Sequence, residues 1–370
     1  MASLATAIKL AVPACASRQP DDFHGEPLID LAQLCGLAQN WPAVHAAATR
    51  YIEFPSKLKP RLNEAFAAKI DAELHLHDES KAVKDALQML ATLPYDNFTS
   101  SATNECINYM ELANTPDALR VATAREPLIL ALLASSAPAA TPNPAPSDLY
   151  FQALALAKLQ HLQNVDTAKT VLDLKAAVSA NISTDDRIAI EAMQKQFDLL
   201  GQSFPNVQPI ASLNVPSILP ILPSPHAITA LLLFPDWSAT GIRLAQDMPA
   251  SVVTVDGHEA YIEALLVPTV PAQTPPNPLP AGTFNPAYSP TYLHQTATIT
   301  VRPAALEAFY ATEVPLLIIT DVNGIVRLIE PVDDGAMKPG NRVDAAIALI
   351  GKQFPATSIE IQPGTKIINP

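Results

Sequence analysis

At 370 residues with a formal net charge of −13, the chain is long enough for two to three domains, and it lacks the local basic patch that nucleic-acid binding would need against that charge. Apolar residues at 49% against charged residues at 16% exclude disorder throughout. The 36 prolines against 11 glycines disfavour a glycine-dependent phosphate loop and predict many helix ends and stiff connectors. Three cysteines are too few for a disulfide scaffold. The longest apolar runs, 127–133 and 228–234, fall short of the roughly 20 residues of a membrane helix.

The opening MASLATAIKLAVPACAS carries small residues up to Cys15, in the manner of an export signal, but Lys9 interrupts the apolar stretch and Pro13 precedes the cleavage position. Leu4, Ile8 and Val12 are instead spaced for a helix of a folded domain, and the native start is expected upstream. Helical spacing continues in Leu28, Leu31, Leu34 and Leu37, then in Leu62, Phe66, Ile70 and Leu74. Gly36 and Asn40 stand near the end of one helix, Trp41 and Pro42 open the next, and Glu79 and Ser80 precede a helix at 81–90. The turns between them are short, so the helices pair as antiparallel hairpins.

Ala43 and Pro55 recur as Ala82 and Pro94 after 39 residues. The unit resembles a tetratricopeptide repeat, although that family repeats every 34 residues and its Gly and Tyr are missing here. After the proline-rich break at 135–147, segments 149–162, 167–180 and 184–201 read as further helices, the last capped by Ser183 or Thr184.

A second break, 204–225, holds six prolines, and beyond it the pattern changes to β-rich runs at 228–234, 251–255 and 262–267. Eight prolines between Pro268 and Pro290 predict an extended excursion. Residues 314–330 read as strand, turn, strand, with Asp321, Asn323 and Gly324 as turn residues, and 341–354 as an amphipathic helix.

The strand LLLF running into PDWSATG and a helix resembles the active-site entrance of thioredoxin-like proteins. That family delivers Trp-Cys-x-x-Cys from a strand to a helix, places a cis-proline before the third strand, and follows it with a hairpin and a closing helix. Trp237, Val314-Pro315, the hairpin to Glu330 and the helix at 341–354 stand in that order. The fold implied is a multidomain chain, an all-α helical-hairpin array followed by an α/β thioredoxin-like domain. Its parts are a helical-repeat domain at 1–134, a connector at 135–147, a continued array at 148–203, a linker at 204–225, the α/β domain at 226–356 with insertion 268–290, and a tail at 357–370.

The departure from the family decides the expected function. Ser238 and Gly241 occupy the two cysteine positions, with Ala239 and Thr240 between them, and no cysteine follows Cys106. Disulfide exchange needs a thiolate, which a serine hydroxyl does not replace. Ser238 is expected to cap the following helix, because none of His226, His258 and His294 has a spacing that ties it to Ser238 as a base. Asp236 reads as a solvated carboxylate at the helix N-terminus.

His75 and His77 point to different helix faces and make no metal pair, and Cys15, Cys35 and Cys106 read as buried thiols in helices. No cofactor or metal is expected. The resemblance implies a non-catalytic interaction protein that holds a protein or extended peptide between the motif and Val314-Pro315, with Trp237, Thr240, Val314 and Pro315 lining the groove. Two other readings stay open: an enzyme related to thiol-disulfide oxidoreductases that borrows Cys35 or Cys106, and a structural scaffold contacting partners through the insertion. The resemblance alone implies a bacterial extracytoplasmic setting, and oligomeric state is not legible.

Overall fold

The computed structural model describes residues 2–56, 58–134, 146–165, 184–207, 209–213, 223, 227–247, 252–267, 297–301, 304–311, 314–332 and 339–355. Most of the connector 135–147, the expected helix at 167–180, the insertion 268–290, the tail 357–370, His226 and His294 lie outside the described residues. The chain divides into two compact units, Met1–Phe197 with Asp333–Ala345, and Asp198–Val332 with Ala346–Pro370.

In the first unit the described elements are helical: α1 (Ala2–Ala16), α2 (Pro27–Leu37), α3 (Trp41–Glu53), α4 (Leu62–His75), α5 (Glu79–Thr92), α6 (Asn97–Ala113), α7 (Thr115–Ala134), α8 (Pro146–Leu162) and α9 (Thr184–Leu199). A single 3₁₀ turn at Pro20–Asp22 joins α1 to α2. Each of α2 to α4 packs on the next helix in the chain, as do α6 and α7, while α4 also meets α6 and α5 meets α7. Hairpins therefore stack on hairpins. Their apolar faces close two cores, one around Leu28, Ile29, Ala47 and Tyr51, the other around Ile70, Leu74, Met89 and Met110.

The same device ends three of these helices. Asn40 N–H donates to Cys35 O at 2.9 Å, Asp78 N–H to Glu73 O at 2.8 Å and Val165 N–H to Gln160 O at 2.9 Å. Each is the six-to-one bond of a Schellman motif. The left-handed residue this requires is Gln39 (φ 54°), His77 (φ 58°) or Asn164 (φ 56°), and in no case glycine. Asn40 then caps α3, its side chain accepting from Ala43 N–H at 3.3 Å, so one short turn both ends a helix and begins the next.

One expectation about the cysteines is corrected. Cys15 and Cys35 are buried, but they form a disulfide with Cα atoms 5.1 Å apart across 20 residues, leaving Cys106 as the free, buried thiol. The α1–α2 hairpin brings the two sulfurs together, and helical periodicity carries no information about that pairing.

Polar groups are also buried between these helices. Lys69 Nζ lies 2.6 Å from Asp85 Oδ2, and His45 Nε2 lies 3.2 Å from Glu73 Oε1. Burial, reinforced by the neighbouring Asp85 carboxylate, pushes the Glu73 carboxyl up to about 8. Arg125 Nε donates to Gln152 Oε1 at 2.6 Å, and Gln152 returns a bond to Ala122 O at 2.6 Å.

The second unit is built on a mixed sheet of β1 (Pro209–Leu213), β2 (Ile228–Pro235), β3 (Val252–Val255), β4 (His258–Val267), β5 (Ala297–Val301), β6 (Leu316–Thr320) and β7 (Val326–Pro331). The order is β1-β5-β4-β2-β6-β7, with β3 paired to β4. β2 runs parallel to β4 and antiparallel to β6, and every β2 residue is buried. Helices α10 (Ala239–Asp247), α11 (Ala304–Ala308) and α12 (Pro339–Gln353) complete the described elements.

Side chains alternate between the faces of the sheet. Leu231, Leu233, Leu265, Leu316 and Ile318 share a core with Ala305 and Phe309. The alternate residues meet α10 and α12, where Gly241 lies against Phe234 and Gly351 against His258. The β6–β7 turn forms as its residues predict, with Asp321 Oδ1 accepting from Asn323 N–H at 2.8 Å and Ile325 N–H at 3.1 Å, and Gly324 at φ 73°.

The segment expected as a plain linker, 204–225, contributes a strand. β1 pairs antiparallel with β5, and just before it Phe204 N–H donates to Gly324 O at 3.0 Å. The prolines concealed this strand, because proline is tolerated at a strand's first residue, where Pro209 stands.

Gln39 is exposed and left-handed, a conformation costing a residue with a Cβ about 1–2 kcal/mol, of which glycine's greater unfolded-state freedom offsets roughly half. Gln39→Gly is therefore expected to raise the stability of the helical unit by about 0.5–1 kcal/mol, measured by urea unfolding followed by far-ultraviolet dichroism.

Candidate functional site

The candidate site stands where β2 leaves the sheet. Asp236 N–H donates to Val267 O at 2.9 Å, extending the β2–β4 pairing, and Ser238 N–H donates to Pro235 O at 2.9 Å, closing a tight turn. Trp237 at the turn's apex is 67% exposed, whereas Ser238 is buried at 5%. Asp236 is half-buried.

Ser238 is committed to the helix that follows it. Its Oγ accepts from Gly241 N–H at 3.0 Å and its carbonyl accepts from Ile242 N–H at 3.0 Å, which together cap α10. His258 lies at the opposite end of the parallel strands, about 30 Å away at 3.3 Å per residue. It is no base for the hydroxyl, and it packs instead on Gly351. Gly241 leaves no room for a side chain: a Cβ there would stand 2.6 Å from the Phe234 ring. At the two positions aligned with the cysteines of the resembled motif, Ser238 is a helix cap and Gly241 is closed off by an aromatic ring.

Antiparallel pairing of Leu233 with Leu316 brings the start of β6 beside the end of β2. The bond preceding that start, Val314-Pro315, is cis. Pro315 is buried, Val314 and Thr240 are half-buried, and Ala239 is exposed. Trp237, Ser238, Ala239, Thr240 and Gly241 therefore share one end of the sheet with Val314 and Pro315.

The other candidates have ordinary structural roles. His75 stacks on Trp41 with ring centroids 3.7 Å apart, and His77 Nδ1 lies 2.9 Å from Tyr109 OH. Burial pushes the Cys106 thiol up to about 12. Among the described residues no group of three or more His, Cys, Asp and Glu is arranged to hold a metal ion, and no helix is long and apolar enough to cross a membrane.

Two features escaped the sequence. A cleft of about 670 Å³ opens along α3, lined by His24, His45, Thr49, Arg50, Glu53 and Phe54 among others. Arg50 is already engaged there, with Asp21 at 2.6 Å and Phe23 O at 3.3 Å. The cleft assembles from α3 and the 19–24 segment, whose approach no motif announces.

The second is Glu263, inside β4 between Leu231 of β2 and Ala297 of β5. It is 6% exposed and its Oε2 has no hydrogen-bond partner among the described residues. Burial pushes its carboxyl up to about 7. The signal was one acidic residue within the apolar run IEALLV.

No protein-family model, curated protein or solved structure matches this chain. Its function is read from its own residues.

Two outcomes are expected. Gly241→Ala should lower the stability of the sheet unit by about 1–3 kcal/mol through overpacking, and adding Phe234→Leu should recover part of that loss in urea titrations. Glu263 contributes its full share of stability below the unfolded value of 4.5 and loses it as pH rises through about 7. Denaturant titrations from pH 5 to 8 should therefore show a decline that Glu263→Gln reduces by about 3 kcal/mol.

Proposed function

We propose that this chain is a non-catalytic interaction protein, whose second unit is a thioredoxin-like domain without redox cysteines and whose ligand is an extended segment of another protein. The observation that carries the reading is the exposed Trp237 held at the same sheet end as Val314 and Pro315, beside a buried Ser238 whose hydroxyl caps α10 and a Gly241 packed on Phe234. Four features support the family likeness in type and order: β2 entering α10 through Trp237, a cis-proline before β6, the β6–β7 hairpin and the closing helix α12. An extended chain would be held there through backbone hydrogen bonds, with side-chain pockets adding selectivity.

Thiol chemistry is disfavoured by the state of the sulfurs. Cys15 and Cys35 are joined, and the remaining thiol is buried and raised to about 12. The disulfide itself agrees with an oxidising compartment. The stacked hairpins of the first unit serve as the scaffold in this reading, as helical arrays do when neighbouring repeats bury one another's faces.

Binding of the full chain to an immobilised library of random extended peptides tests the proposal. Trp237→Ala is expected to weaken the selected peptides at least tenfold, about 1.4 kcal/mol, and Val314→Lys to do the same by placing a charge at the apolar rim. Undiminished binding by both variants would remove the groove from consideration.

A further inference from the structure

Over its residues 6–16, helix α1 buries few side chains, and its sulfur is one of them. Of its residues 6–16, Ala11 and Cys15 are the buried ones, at 3% and 1% exposure. Among the described side chains of the helix, Cys15 is the one in the buried core formed with Leu28, Ile29, Leu31, Ala32 and Cys35. Apolar side chains that would normally dock such a helix face outward, with Leu10 68% and Val12 49% exposed. It packs on α2, and Asn40 Nδ2 of the α2–α3 turn donates to the same sulfur at 3.5 Å.

The helix is also poor by its own sequence. Pro13 stands inside it, removing one backbone donor and costing about 3 kcal/mol relative to alanine. At 15 residues the segment is at the limit of about 12–15 residues near which even alanine-rich peptides are marginal helices in water, and the internal proline lowers its propensity further. Detached from α2, it loses the packing that keeps such a helix wound.

We propose that α1 is a redox-conditional element: the Cys15–Cys35 bond keeps it folded on α2, and reduction releases it as an unwound, apolar segment. The reductant is a dithiol. Its thiolate attacks one sulfur and breaks the Cys15–Cys35 bond, its second thiol closes its own disulfide, and the two electrons and two protons it gives up leave Cys15 and Cys35 as thiols. Both sulfurs are sealed from solvent, so attack follows an opening of α1, and each reduced molecule then stays open. Cys106 is buried and does not compete as an internal attacking thiol. In an oxidising compartment the latch is shut, and on exposure to a dithiol pool it opens.

Hydrogen exchange read by mass spectrometry on the full chain tests this. Three samples are compared: the oxidised protein, the same protein held in dithiothreitol, and the Cys15→Ser/Cys35→Ser double variant. The expected result is a loss of protection of about 100-fold or more in the amides of 2–16, with α3 to α6 keeping their oxidised rates, as for a locally opening unit. Retained protection of α1 in the double variant overturns the proposal. So does exchange that rises equally in all helices, because the bond would then hold the whole unit and not this helix.

Discussion

Helix α10 lies so close to β2 that the position one turn into it tolerates only a hydrogen, with the Phe234 ring filling the space that a Cβ at 241 would need. This contact fixes the character of the loop between them. Ser238 sits under the helix start with its hydroxyl spent on the Gly241 amide, and Trp237, with no place inside, is left in solvent. The turn is a rim bearing one large aromatic side chain, the residue type most often responsible for binding energy at interfaces. The fully buried β2 stands behind it.

The helical unit solves a different problem, that of turning the chain sharply with few glycines. Gln39, His77 and Asn164 take left-handed conformations after α2, α4 and α8, and in the second unit Tyr310 (φ 49°) does the same after α11. Each costs about 1–2 kcal/mol for its Cβ. The carbonyls satisfied by these caps and the apolar faces closed by the hairpins offset that cost. His77 also turns its ring to Tyr109 of α6, at 2.9 Å, a tie between hairpins that glycine would not provide.

What was legible in the sequence was local. The β6–β7 hairpin could be read because Asp321, Asn323 and Gly324 carry their own turn chemistry, and the cap at Ser238 because small hydroxyls preceding helices bond to nearby amides. Asp256-Gly257, with both residues at positive φ, is an equally clear local signal for the β3–β4 hairpin. β1 was hidden, because its strand character depends on pairing with β5, some 90 residues on by its register with 297–301, and its prolines spoke for a connector. Glu263 looked like any polar residue in a strand until its neighbours on both sides proved to be buried strands.

By itself the sequence determined the helical first half, the strand character from residue 228 onward, the turn residues, and the absence of any cysteine beyond Cys106. These depend on side-chain periodicity and on backbone preferences that act within a few residues. The tertiary structure alone decided that Cys15 meets Cys35, that Phe234 excludes a side chain at 241, that Trp237 shares a sheet end with Pro315, and that Glu263 is buried with its Oε2 unpartnered among the described residues. Each is a contact or a solvent exclusion between segments that are separate along the chain. Such neighbours are set by how whole apolar faces pack, which no short stretch of sequence encodes.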